Sequence, residues 1–151
     1  MEKGYNAIIV FNYKTLYKID NTKSCCIDYK CIQCCLDTNM LLSHQDIEQI
    51  KRLGFDTNFF VTEKDGWLQL KNQDGQCVFH SNIMCTIYEN RPDGCKLYPI
   101  IYDKDKKHVV FDKDCPQRDK FHMSKNITKQ LYDLVSKLES ERAERKKLKI
   151  K

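Results

Sequence analysis

A chain of 151 residues and 18.0 kDa, 41% hydrophobic and 31% charged, can bury about 70% of the surface its unfolded form exposes, so one domain with its own core is expected without cross-links. The longest purely apolar run, residues 7–11, falls far short of the roughly 20 residues that span a bilayer, and it is too short for the apolar part of a secretory signal. A cytoplasmic chain with no membrane contact is therefore expected. Of the net charge of +5, residues 137–151 supply +4, from seven Lys or Arg against three Glu, and 21 Lys stand against 5 Arg; bidentate reading of bases and phosphates favours Arg, so a solvated face fits this charge better than a nucleic-acid reader.

In chain order, residues 7–19 are rich in apolar and aromatic side chains and read as one or two strands. The first cysteine block follows, Cys25, Cys26, Cys31, Cys34 and Cys35, without helical or strand period. Ser43 is placed to cap a helix, with Asp46 three residues on as a variant capping box and Leu42 stapling to Ile47. Ile47, Ile50 and Leu53 would line its buried face, and Gly54 would end it in a left-handed conformation with Phe55 folding back. Phe59, Phe60 and Val61 read as core. Residues 67–70 and 77–79 flank Asn72-Gln73-Asp74-Gly75 as a first hairpin, and residues 100–103 and 108–111 form a second around a charged loop. From Ser124 the stripe Ile127, Leu131, Leu134, Val135, Leu138 predicts an amphipathic helix. Beyond it the apolar positions thin out, and the tail is expected to project or fray.

The nine cysteines are what composition does not explain. In a reducing compartment an odd number of thiols reads as metal ligands rather than as a disulfide framework. Adjacent side chains diverge by about 100° in a helix and about 180° in a strand, so one ligand is expected from each neighbouring pair. That leaves seven candidate thiolates with Cys31, Cys77, Cys85, Cys95 and Cys115. Only one CxxC is present, Cys31 to Cys34, whereas closed zinc ribbons usually show two. Cys115-Pro116 echoes the Cys-Pro that ends many iron–sulfur motifs, so a [4Fe-4S] cluster is favoured over Zn²⁺. Either centre on four thiolates carries a charge near −2, and Lys30, Arg91 and Lys96 are the neighbouring cations. His80 is the histidine inside the ligand segment, read first as a turn residue.

The ordered string Cys31-Ile-Gln-Cys34-Cys35, Gly75-Gln-Cys77-Val-Phe79, Cys85-Thr-Ile-Tyr88-Glu-Asn-Arg91-Pro92-Asp-Gly-Cys95-Lys-Leu-Tyr98-Pro99 and Cys115-Pro116 resembles the YkgJ-type cysteine-cluster family, described as a zinc- or iron-chelating domain. The resemblance covers residues 31–116. It extends to the cysteine domain of flagellin N-methylases, which are substantially longer chains. The family's first block reads Cys-x-x-Cys-Gly-x-Cys-Cys; here Asp28 holds the first cysteine position and Ile32 the glycine. Cys26 through a changed loop, or Asp28 through oxygen, would have to take the first ligand's place. The implied metal ligands are Cys26, Cys31, Cys34, Cys35, Cys77, Cys85, Cys95 and Cys115.

The five glycines are isolated, so no dinucleotide or phosphate-binding loop is present, and no histidine sits in a recognisable catalytic motif. The expected architecture is α+β: a small, irregular, metal-stapled domain with two short β-hairpins, a short helix after the first cysteine block and a long C-terminal amphipathic helix. It divides as a cysteine-cluster domain over residues 1–136 and a basic helical tail over 137–151. The expected function is a metal-binding module, structural, electron-carrying or metal-handling, whose partner is another protein. The rivals are a component of a protein lysine N-methylase, by resemblance only, and an RNA or acidic-protein adaptor acting through the tail. Little chain is expected to remain for a cofactor-sized pocket.

Overall fold

The computed structural model describes residues 27, 29–81 and 84–150; the strands expected at residues 7–19, and Cys25, Cys26 and Asp28, lie outside them. The elements are helix α1 (His44–Lys51), the short helix α2 (Thr57–Phe60), strands β1 (Val61–Lys64), β2 (Trp67–Leu70), β3 (Asn72–Gln73) and β4 (Gln76–Cys77), helix α3 (Asp93–Leu97), strands β5 (Ile100–Asp103) and β6 (His108–Phe111), and helix α4 (Lys125–Lys149). The α+β class holds. The described strands form three separate antiparallel pairs, β1·β2, β3·β4 and β5·β6.

Local chemistry explains α1. Ser43 Oγ accepts from the Asp46 backbone N–H at 3.1 Å, and Asp46 Oδ2 accepts from the Ser43 N–H at 2.9 Å, so the capping box closes in both directions. Leu42, Ile47 and Ile50 are buried in one core cluster with Phe60, Leu70 and Phe79. At the other end the Gly54 N–H returns to the Lys51 carbonyl, with Gly54 at φ +96°, as a left-handed helix end requires. Leu53 departs from expectation and is 43% exposed. The helix stops at Lys51, so Leu53 lies past the 3.6-residue repeat that would have turned it inward.

The first hairpin also departs. Trp67–Leu70 does not pair with residues 77–79; it pairs with Val61–Lys64, Val61 opposite Leu70 and Lys64 opposite Trp67. The turn is Asp65-Gly66, with φ +53° and +81°. Positive φ at both central residues is the type I′ pattern, whose twist matches that of the flanking strands. Asp74-Gly75, at φ +51° and +76°, makes a second such turn for the minimal hairpin Asn72–Gln73 and Gln76–Cys77. Among the described residues there are thus three hairpins rather than two. The Ile100–Asp103 and His108–Phe111 hairpin stands as expected, its loop held by Asp103 Oδ1, which accepts from the Asp105 and Lys106 N–H groups at 3.0 Å.

Phe60 is fully buried, while Phe59 is 44% exposed and stacks on Phe55. Both rings meet Phe79 edge-on, at centroid distances of 5.0 Å for Phe55 and 5.8 Å for Phe59. This aromatic group packs beside Cys77. Helix α4 is capped by Ser124, whose side chain accepts from the Ile127 N–H, and buries Leu131, Leu134 and Leu138 against α3 and β5.

The tail neither projects nor frays. Arg142 Nε and Arg145 Nε donate to the Asp65 and Gly66 carbonyls at 2.9 and 2.8 Å. Arg142 also lies 4.6 Å above the Trp67 ring, and Lys149 pairs with Glu63. Glu141 accepts from the His44 N–H at 2.9 Å, so the end of α4 satisfies an open donor at the start of α1. The carbonyls of the tight β1–β2 turn are what the basic side chains find. Among the described residues no helix is long and apolar enough to cross a membrane.

Candidate metal centre

Protein hydrogen bonds already hold the two cysteine blocks together. Cys34 and Cys35 stand on a single 3₁₀ turn, Gln33–Cys35. Just beyond it, the Asp37 N–H donates to the Gly75 carbonyl at 2.8 Å. Asn72 clamps Thr38 from both sides, accepting from its N–H at 3.0 Å and donating to its carbonyl at 2.9 Å. Two further bonds, Leu42 N–H to Leu68 carbonyl and Leu70 N–H to Met40 carbonyl, continue the seam. The first block is thereby zipped alongside β4, which carries Cys77.

Cys95 arrives by another route. The Asp93 N–H, at the start of α3, donates to Asp46 Oδ1 at 2.9 Å, so the buried carboxylate that caps α1 also fixes the helix on which Cys95 stands. Between β4 and α3 the chain turns through an isolated antiparallel bridge of His80 with Cys85. It then passes through the 3₁₀ turn Tyr88–Asn90. Cys115 follows β6 and is buried, its N–H bonded to the Asp112 carbonyl at 3.2 Å.

These routes converge on one cavity of about 840 Å³, whose wall includes Cys31, Cys34, Cys35, Cys77, Cys85 and Cys95, with Ile127 and Leu134 of α4 closing a side. The expectation of little room is overturned: the volume falls within the range of about 300–1,000 Å³ typical of ligand sites. It exists because α4 folds over the cysteine loops instead of standing apart. Cys115 is absent from that wall, but it couples electrostatically to Cys31 and Cys34. Every described cysteine is a free thiol. Among the described residues no three His, Cys, Asp or Glu side chains stand in a ready metal-holding arrangement; the sulfurs ring the cavity without meeting at a point.

Cys34 and Cys35 both line the cavity and are hydrogen-bonded to each other. The hydrogen bond from Cys35 holds the Cys34 thiol down to about 7, against burial and with help from Arg91. The same bond, with burial, pushes Cys35 up. Burial raises Cys77 and Cys85, and Cys95 still further. Against that, backbone N–H groups aim at sulfur: Phe79 and His80 at Cys77, Ile87 at Cys85, Gln117 at Cys115. Hydrogen bonds to sulfur favour the thiolate over the thiol, which is the form that binds metal. The pattern, an N–H two residues beyond the cysteine, recurs at three separate loops.

Arg91 is the cation that acts on several of these thiols. Its guanidinium lies 3.6 Å from the centroid of the Tyr88 ring and lowers the pKa of Cys34, Cys85 and Cys95. Its Nε is buried with no hydrogen-bond partner among the described residues. Lys30 and Lys96 also line the cavity, although Lys96 is taken up by Asp93 at 3.2 Å. Tyr98 is hydrogen-bonded to Asp112, and burial, then that aspartate, drives its pKa up. The donor set suits a thiophilic metal centre: reduced sulfur, N–H groups directed at it, and an unmatched buried donor beside it. Sequence reasoning ranked His80 as a turn residue, read Asp46 only as a helix cap and did not single out Gln76; the Asp93 N–H that Asp46 also accepts from and the His80 ring that Gln76 meets are set only by the fold.

No curated protein and no solved structure matches the chain. A family model, CxxCxxCC, described as a putative zinc- or iron-chelating domain, matches residues 24–116, a span that holds both cysteine blocks and every thiol of the cavity wall. The chain belongs to the CxxCxxCC family.

Proposed function

We propose that this chain is a cytoplasmic metal-binding module whose centre is held by thiolates drawn from Cys31, Cys34, Cys35, Cys77, Cys85, Cys95 and Cys115, and that its role is structural, electron-transferring or metal-handling. The observation that carries the reading is the convergence of six free thiols on one cavity, with backbone N–H groups directed at the sulfurs of Cys77, Cys85 and Cys115. Sulfurs that ring a cavity of about 840 Å³ suit a centre of several atoms, so a [4Fe-4S] cluster is favoured over a single Zn²⁺. Such a cluster supplies one-electron chemistry at a potential set by charge, burial and hydrogen bonds to sulfur. Arg91 would offset its negative charge.

The partner is proposed to be another protein. RNA binding through the tail is disfavoured because Arg142 and Arg145 are engaged by the Asp65 and Gly66 carbonyls. The methylase reading gains one observation, the size of the cavity, while still lacking any motif for a methyl donor. Anaerobic purification with metal and sulfide analysis and an absorption spectrum tests the main reading. Stoichiometric iron with acid-labile sulfide, or stoichiometric zinc, is expected, with less metal in the Cys34→Ser, Cys85→Ser and Cys95→Ser variants. A chain purified without stoichiometric metal would overturn it. Transfer of a labelled methyl group from S-adenosylmethionine to a lysine-rich acceptor would replace it with the enzyme.

A further inference from the structure

His80 is anchored on the cysteine loops through its backbone and held at its ring by Gln76. Its N–H donates to the Cys77 carbonyl at 2.8 Å and is directed at the Cys77 sulfur. Across the turn it is the antiparallel bridge partner of Cys85, and directly opposed residues of such a pair project to the same face. The ring Nδ1 lies 3.0 Å from Gln76 Oε1. A carbonyl oxygen only accepts, so Nδ1 donates, and a ring with a single proton then carries its lone pair on Nε2. Nε2 is buried and has no hydrogen-bond partner among the described residues, while His80 forms part of the same cavity wall as Cys77 and Cys85. A histidine that merely fills a turn would leave this nitrogen in water or give it a donor. One nitrogen fixed by a side-chain oxygen, with the other unmatched beside thiols, is how a ligating imidazole is held.

We infer that His80 is a ligand of the thiol-lined metal centre through Nε2, with Gln76 as the positioning residue that fixes its tautomer. This rests on the metal-binding reading above. The centre is then mixed sulfur and nitrogen rather than all-thiolate. Imidazole is an established partner of thiolate both at zinc and at iron–sulfur centres, where exchange of thiolate for histidine raises the potential.

The test uses the full chain purified anaerobically with its metal, in its original form and as His80→Ala, His80→Cys and Gln76→Leu. If iron is bound, pulsed electron paramagnetic resonance of the reduced protein is expected to show a coupled ¹⁴N. If zinc is bound, X-ray absorption is expected to show a nitrogen neighbour at about 2.0–2.1 Å beside sulfur at about 2.3 Å. The signal should vanish in His80→Ala and give way to sulfur in His80→Cys, a variant that keeps a ligand should the alanine chain fail to fold. Gln76→Leu should weaken metal affinity by about 10- to 100-fold, as loss of a ligand-orienting contact does. Bound metal with an all-sulfur shell, or nitrogen coupling that survives in His80→Cys, would overturn this inference and leave metal binding intact. Absence of metal from the original chain would overturn both.

Discussion

Asp46 carries more of this fold than its place in a short helix suggests, and replacing it by alanine is the sharpest test of how the Cys95 segment is held. The residue is 3% exposed and accepts three hydrogen bonds. Two come from Ser43, through its N–H at 2.9 Å and its hydroxyl at 2.8 Å, and one from the Asp93 N–H at 2.9 Å. Net contributions of bonds to a charged acceptor run at about 1.5–3 kcal/mol each, and each buried donor left behind costs about 1–3 kcal/mol. The three bonds share one side chain and do not add fully. A loss of about 3–5 kcal/mol is therefore expected for Asp46→Ala. At about 2–4 °C per kcal/mol for a chain of this size, Tm should fall by about 6–20 °C. Ser43→Ala, which leaves the bond to Asp93 intact, should lose only about 1–2 kcal/mol. Urea and thermal unfolding of the metal-loaded chains measure both. A shift below about 2 °C for Asp46→Ala, or equal effects for the two variants, would refute the assignment of Asp46 as the tie between α1 and α3.

Removing the metal by chelation should lower Tm steeply, because thiolate sites absent from the unfolded chain can contribute about 10 kcal/mol or more; an unchanged transition would show that hydrogen bonds alone hold the cysteine loops. Arg91→Met should reduce metal affinity without removing a ligand, an effect read by competition with a chromogenic chelator, and equal affinity would deny the guanidinium its compensating role. In the metal-free chain, burial holds Cys77, Cys85 and Cys95 above the ordinary value of 9.0. Their protonated forms thus stabilise the fold below pH 9 and that contribution is lost as pH rises beyond it. Urea midpoints should fall above pH 9, less so in Cys95→Ser, and a Cys95→Ser profile parallel to that of the original chain would contradict the burial of that thiol. Truncation after Glu141 should cost about 1–3 kcal/mol from the lost carbonyl and cation–π contacts. It should also shift the emission of Trp67, the sole tryptophan, to the red; unchanged emission would mean that the tail does not dock.

What the sequence by itself determined is local in origin. Ser43 and Asp46 announce a helix start because the capping box closes within four residues. The Ile127 to Leu138 stripe announces α4 because a 3.6-residue period needs no knowledge of the surface it will meet. The Ile100–Asp103 and His108–Phe111 hairpin is bounded by its own loop. The ordered cysteines, with their Cys-x-Ile-Tyr-Glu-x-Arg-Pro string, carried the family and its chelating chemistry. Even the strand partner of Trp67–Leu70 was legible, since Asp65-Gly66 is as strong a turn signal as Asp74-Gly75, and weighing both would have found it.

Other features depend on chain segments that meet only after folding. A period says which face of α4 is apolar; that this face covers the cysteine loops and so encloses a cavity of about 840 Å³ is a matter of packing. The second oxygen of Asp46 finds a donor 47 positions away, and Arg142 and Arg145 find turn carbonyls 77 and 79 positions away. No local pattern encodes such distances, because closing a loop costs entropy that depends only weakly on its length and many partners are nearly equivalent until the core selects one. His80 shows the same limit at short range. Its neighbours in the chain suggest a turn residue, and only the turn's geometry sets Gln76 on one nitrogen and leaves the other buried and unpartnered among the described residues.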